Sequence, residues 1–141
     1  MIGIDTTALV AWEMAEHADR FRVQNILERE TNKGTRFLIA PQVFAEFVHV
    51  VTDAKRFKVP LDVETALARA EWWQKSVDVI VPQVTPQVFD LFFEWMKQHC
   101  LGRKRILDTL LAATYFAYGS RRVLTLNEAD FKVFGEFEFV Q

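Results

Sequence analysis

Residues Ile106 to Phe131 read ILDTLLAATYFAYGSRRVLTLNEADF. The first half, to Tyr118, holds one charged residue, Asp108, and is otherwise apolar nearly all round a helix, the signature of a buried helix. That helix is expected from Arg103 to Tyr118, with Gly119 ending it. Arg122 to Leu126 then reads as a short apolar strand. Asn127 is placed to cap a short helix reaching about Phe134. A buried helix that feeds an apolar strand, followed at once by another helix, is the grammar of an α/β protein.

The same alternation extends in both directions. Ile2 to Asp5 reads as a short buried strand running into a helix from Thr6. Ala18 to Asn32 has helical spacing through Phe21, Ile26 and Leu27 and ends near Gly34. Thr35 to Ala40 is a second strand, and Pro41 starts a helix expected to run to about Phe57. After a loop around Pro60, Asp62 caps a helix to about Lys75. Val77 to Val81 is a third strand. Thr85 and Pro86 open a helix lasting to about Cys100, and Gly102 breaks it. Phe137 to Val140 is a final edge strand. Short apolar strands between helices predict a mostly parallel sheet covered on both faces. With no linker, repeat or low-complexity tract, one domain over residues 1–141 is expected.

Half of the 141 residues are apolar and 26% are charged, a globular balance. Seventeen Lys+Arg against nineteen Asp+Glu leave a charge of −2, which excludes a histone-like positive coat but not a local basic patch. The single cysteine, Cys100, excludes a disulfide framework within the chain and a cysteine zinc cluster, and suits a reducing cytoplasm. It is read as a core thiol at a helix end. The start MIGIDTTALVAW lacks a basic region and is broken by Asp5, so it is not read as a secretory signal. Thr109 to Ser120 is the longest charge-free stretch, too short to cross a bilayer.

Four acids stand where acids need a reason. Asp5 follows Ile2-Gly3-Ile4, at a strand's carboxyl end, where it is either a helix cap or a ligand. Asp108 is the lone charge on a buried helix, and an unpaired buried carboxylate costs several kcal/mol. It requires a salt-bridge partner, for which Arg105 is at hand three residues earlier, or a wet cleft, or a cation. On the Pro41 helix, Val43, Phe44, Phe47, Val48, Val50, Val51 and Ala54 form one stripe, and Glu46 falls just off its edge. Glu46 is either solvated or turned into a cleft, and Asp53 is its local rival. The last acid lies in Thr125-Leu126-Asn127-Glu128-Ala129-Asp130-Phe131, again after a strand. There Glu128 competes with Asp130, and both suit the first turn of a helix.

Taken together, two acids follow strand ends and two sit on helices able to flank the same cleft. Converging carboxylates repel, and a hard divalent cation is the usual remedy. Such a site clamps a phosphodiester and activates water for in-line attack. Other chemistries lack their residues: there is no GxxxxGK[ST], no GxGxxG, no HExxH among His17, His49 and His99, and no GxSxG. Asp5 is followed by Thr6-Thr7, without the acid two positions on that haloacid-dehalogenase-like phosphatases use.

Asp5 after a first strand, Glu46 on a middle helix, Asp108 in RILDTLLAATYFAYG and the segment TLNEADF, in this order over essentially the whole chain, resemble the PIN domain. The length resembles that of the VapC-type toxins of bacterial and archaeal toxin–antitoxin pairs. The resemblance implies a three-layer α/β/α fold with a central sheet of four to five strands, and a metal-dependent endoribonuclease. It implies Asp5, Glu46, Asp108 and Asp130 as the catalytic and metal-holding set for Mg²⁺ or Mn²⁺. Thr6 and Thr125 become supporting hydroxyls, and Asn127 orders the turn. It further implies an RNA substrate, for which transfer RNA is a common family target, a cognate antitoxin, a homodimer, and residence in the cytoplasm away from membranes.

Arg103, Lys104 and Arg105 precede the Asp108 helix. Cations at a helix N-terminus oppose its dipole, and phosphate contact would explain them. A solvated surface run is the competing explanation for each of them, and Arg105 as partner of Asp108 is a third. Trp72 and Trp73 are adjacent on a helix and face different ways; they either pack on the sheet or leave one exposed. Phe89, Phe92, Phe93 and Met96 give a helix face suited to a dimer or to the core. The alternatives to a toxin are a PIN nuclease acting on RNA or DNA without an antitoxin, and an inactive PIN-like binding module.

Overall fold

A computed structural model describes residues 1–141. The strands are β1 (Ile2–Ile4), β2 (Phe37–Leu38), β3 (Val79–Ile80), β4 (Arg122–Leu124) and β5 (Glu138–Phe139). The helices are α1 (Thr6–Glu13), α2 (Arg20–Asn32), α3 (Pro41–Val51), α4 (Val63–Lys75), α5 (Pro86–Gln98), α6 (Ile106–Ala117) and α7 (Ala129–Lys132). The strands form one sheet in the order β3-β2-β1-β4-β5, and every neighbouring pair is parallel. The expected α/β architecture is therefore found, with five strands.

The strand order fixes the layers. From β1 the chain steps to β2 and β3 in one direction, then jumps back past β2 and β1 to β4 and on to β5. Parallel crossovers are right-handed, so reversing direction moves the helices to the opposite face. The packing agrees: α1 lies on α2 and α3, and α3 on α4, whereas α5 lies on α6 and α6 on α7. Central strand residues are consequently buried from both sides, as Ile2, Ile4, Leu38, Val123 and Leu124 are. β1 and β4 are neighbours whose onward connections leave in opposite directions. The space beyond their carboxyl ends is the topological switch point, where open α/β sheets bind ligands.

Several boundaries are shorter than the sequence predicts. α3 stops at Val51 instead of about Phe57. The Thr52 hydroxyl donates back to the Val48 carbonyl (2.8 Å), and Asp53 Oδ1 accepts the Lys55 amide (2.8 Å), which closes a turn in place of a further helical one. Ala54 thus leaves the apolar stripe and is exposed. Arg103–Arg105 form a single 3₁₀ turn, and α6 proper begins at Ile106. Cys100 is exposed past the end of α5, with φ +50°, and is not a core thiol. Trp73 is buried with its indole N–H on Glu13 Oε1 (2.7 Å), while Trp72 is exposed. No helix is long and apolar enough to cross a membrane.

Candidate active site

Asp5 sits where β1 ends and α1 begins. Its amide donates to the Leu124 carbonyl of β4 (3.0 Å), which fixes it at the switch point. Its side chain does not cap α1. Instead Oδ2 accepts the hydroxyls of Thr7 (2.6 Å) and Thr125 (2.7 Å). Each hydroxyl also accepts one backbone amide from the turn after β4: Leu126 on Thr7 (2.9 Å) and Asn127 on Thr125 (2.9 Å). One carboxylate oxygen therefore ties two strand ends together. The other, Oδ1, has no protein partner.

Glu46 projects from α3 across from α1, and its Oε2 accepts the Thr6 hydroxyl (2.7 Å). Its rival Asp53 lies past the end of α3 and is spent on the turn there, so the cleft is lined by Glu46 and not by Asp53. Asp108 is in the first turn of α6. Its Oδ2 lies 3.6 Å from Arg105 Nη1, and its side chain is 37% exposed. The lone acid of the apolar helix thus stands at a cleft wall beside a cation. Partial burial, with the charge of Asp130, pushes its pKa up to about 6; Arg105 holds it down, while Asp5 and Glu46 push it further up. A single carboxyl that feels the other three is the electrostatic mark of convergence.

Asp130 is the most heavily engaged of the four. Oδ1 accepts Arg105 Nη1, and Oδ2 accepts Asn127 Nδ2 (2.5 Å). Arg105 Nη2 also donates to the Asp130 carbonyl (2.7 Å). The expected cap by Asn127 is absent: its side chain accepts no helix amide, and its Nδ2 donates to Asp130. Glu128 is turned away to Lys132 (2.6 Å) and does not line the cleft. Arg105 belongs to the acids as their counter-ion, whereas Arg103 and Lys104 are exposed and make no ion pair.

Asp5, Glu46, Asp108 and Asp130 line one cleft of about 420 Å³, with Thr6, Thr7, His17, Arg56, Phe57 and Asn127 also on its walls. Thr7 is the supporting residue that sequence reasoning passed over. Its signal was its place two residues after Asp5, where a hydroxyl reaches back to a carboxylate. A second hollow of about 440 Å³, against Trp12, Trp72 and Trp73, lies on the α1, α2 and α4 side, away from the four acids.

The donor chemistry suits a hard divalent cation: Asp5, Glu46 and Asp108 each keep an oxygen without a hydrogen-bond partner, and all are half-exposed or exposed. In the present arrangement no three of the acids close into a ready chelate. Arg105 supplies positive charge beside Asp108 and Asp130.

The fold is similar to that of VapC20 from Mycobacterium tuberculosis, a toxin that cleaves the sarcin–ricin loop. The TM-score is 0.76 at 18% identity over 100% of both chains. It is also similar to the VapBC-1 structure from nontypeable Haemophilus influenzae, with a TM-score of 0.67 at 17% identity over 99% of this chain and 96% of that one. At these identities the likeness is one of fold. No family model matches the sequence, and no curated protein matches it by sequence.

Proposed function

We propose that this chain is a metal-dependent PIN-type endoribonuclease of the VapC class, the toxin of a toxin–antitoxin pair. The observation that carries the reading is the convergence of Asp5, Glu46, Asp108 and Asp130 on one cleft at the switch point between β1 and β4. Sharing a fold with VapC20 supports ribonuclease chemistry, and sharing one with VapBC-1 supports an antitoxin partner. Transfer RNA and the sarcin–ricin loop are the RNAs to test first. A homodimer and a cytoplasmic location go with the same reading, and exposed Phe89 and Phe93 on α5 offer a dimer face.

Asp5, Glu46 and Asp108 would hold Mg²⁺ or Mn²⁺, with Asp130 alongside. When bound, the cation supplies Lewis-acid charge for the phosphodiester and lowers the pKa of water. The remaining work falls to the chain. Thr7 and Thr125 clamp one oxygen of Asp5, so its carboxylate has a fixed plane. Thr6 does the same for Glu46. Asp108, part-exposed at the cleft wall beside Arg105, would help orient the water that attacks the phosphodiester. Arg105, anchored by Asp130 and its carbonyl, favours the ionised form of Asp108.

The test is cleavage of a mixed RNA pool with Mg²⁺ or Mn²⁺ by wild type and by Asp108→Asn. Discrete products that disappear in the variant and with chelator are expected. No metal-dependent cleavage by folded, partner-free protein would move the assignment to a binding module. Cleavage that survives in the variant would mean that Asp108 is not in the site.

A further inference from the structure

An acid-lined cleft repels a polyanion, so RNA needs other groups to receive it. Among the residues lining the cleft, Arg56 is the only lysine or arginine, and Phe57 the only phenylalanine, tyrosine or tryptophan. Both lie in the turn between α3 and α4. Facing the cleft from the turn between α1 and α2 are His17 and Asp19, the latter 3.7 Å from Arg22 Nη1. The two turns are fastened together, since the Val59 amide donates to Glu16 Oε1 (3.2 Å).

Both turns are also internally fixed. Asp53 Oδ1 accepts the Lys55 amide (2.8 Å), and the Asp53 carbonyl accepts the amides of Arg56 (3.0 Å) and Phe57 (3.2 Å). Asp53 Oδ2 lies 3.5 Å from Arg56 Nε. His17 Nδ1 accepts the Asp19 amide (3.1 Å), which leaves the ring proton on Nε2 as a donor.

We infer that these two turns form a nucleotide-binding subsite beside the scissile position, an inference that rests on the ribonuclease reading. Phe57 stacks a splayed-out base, and Arg56 and His17 Nε2–H hold the adjoining phosphate and sugar. Asp53 is a positioning residue that shapes the turn. The substrate class that fits is single-stranded or looped RNA, because a base within a duplex has both faces covered.

The test has a binding arm and a kinetic arm. In EDTA, and in an Asp108→Asn background, binding of a fluorescein-labelled single-stranded RNA is followed by anisotropy. Phe57→Leu and Arg56→Gln are each expected to weaken binding about ten-fold. A blunt duplex of the same sequence should compete poorly. In the Asp108 protein with Mg²⁺, these variants and Asp53→Asn raise KM while kcat stays within about two-fold. Lys97→Gln, which removes a charge from α5, leaves both arms unchanged. Circular dichroism checks that each variant is folded. Unchanged Kd and KM in folded Phe57→Leu and Arg56→Gln overturn the subsite and leave the nuclease standing. An equal loss in Lys97→Gln also overturns it, because diffuse charge then explains the binding. Absence of cleavage by wild type overturns the nuclease reading instead, and the EDTA arm still decides the subsite.

Discussion

The ring of Tyr115 lies on Gly3 so closely that a Cβ placed there would stand within 3.0 Å of three ring atoms. The hydroxyl at the far end of that ring donates to the Ile4 carbonyl (2.6 Å) and accepts the Ala40 amide (3.4 Å). One side chain of α6 thereby joins the ends of β1 and β2, just before Asp5 and just before the helix that carries Glu46. Gly3→Ala is expected to cost about 3 kcal/mol, because buried ring and strand have no room to part. Tyr115→Phe should cost about 1–2 kcal/mol by leaving the Ala40 amide unpaired. Urea unfolding at pH 7 measures both; a neutral Gly3→Ala would contradict the packing.

Asp108 is expected to oppose stability at neutral pH. Its folded pKa is about 6, above the ordinary carboxylate value of 3.8, so the folded state binds its proton more tightly than the unfolded chain does. Its contribution therefore declines as pH rises from about 4 to about 6, and is flat above. Asp108→Asn should remove that decline and raise the thermal midpoint at pH 7 while abolishing cleavage. Arg105→Gln should move the Asp108 midpoint higher still, because Arg105 is the group that lowers it. A carbon-detected NMR titration of metal-free protein reads the midpoint directly.

The two hydroxyls on Asp5 Oδ2 are expected to be separable from mere packing. Thr7→Val leaves the Leu126 amide unpaired and frees the carboxylate, at about 1–2 kcal/mol and a loss of activity of about ten-fold or more. Thr7→Ser restores both, since only the hydroxyl is used. Full activity in Thr7→Val, measured as kcat/KM on the RNA that wild type cuts, would remove Thr7 from the site.

Glu30 is a fully buried acid on the α2 side of the sheet. A hydrogen bond from Lys33 (2.8 Å) does most to lower its pKa to about 2; Arg122 assists (3.2 Å), and burial opposes them. Because its folded pKa is depressed, its contribution is full above about pH 4.5 and is lost as pH falls toward 2. Glu30→Gln should lower stability at pH 7 by about 1–3 kcal/mol and flatten the acid limb. Urea midpoints at pH 3 and pH 7 test this; the gap between wild type and variant should narrow at the lower pH.

Much of this was legible in the chain itself. Asp62 and Thr85 cap α4 and α5 through their own side chains, as the local pattern required. Pro41 and Pro86 mark helix starts for the same local reason: a fixed φ and a missing amide cost nothing there. Less legible was the end of α3, because Thr52 and Asp53 hold the backbone with side-chain bonds that compete with a helix by small margins. Cys100 was misplaced because apolar character does not reveal that a residue lies past a helix end at positive φ.

The sequence by itself determined the order of strands and helices, and the presence of acids after β1, on α3, on α6 and after β4. Periodicity, caps and turn residues act within a few positions, and those are written in the chain. Only the tertiary structure decided which acids meet. Glu46 rather than Asp53, and Asp130 rather than Glu128, line the cleft because crossover handedness and the packing of α1 on α3 and α6 on α7 bring them there. The same folding took Arg105 out of the basic run and set it among the acids, and placed Arg56 and Phe57 on the cleft wall. Such pairings join residues far apart in the chain, and no local pattern records them.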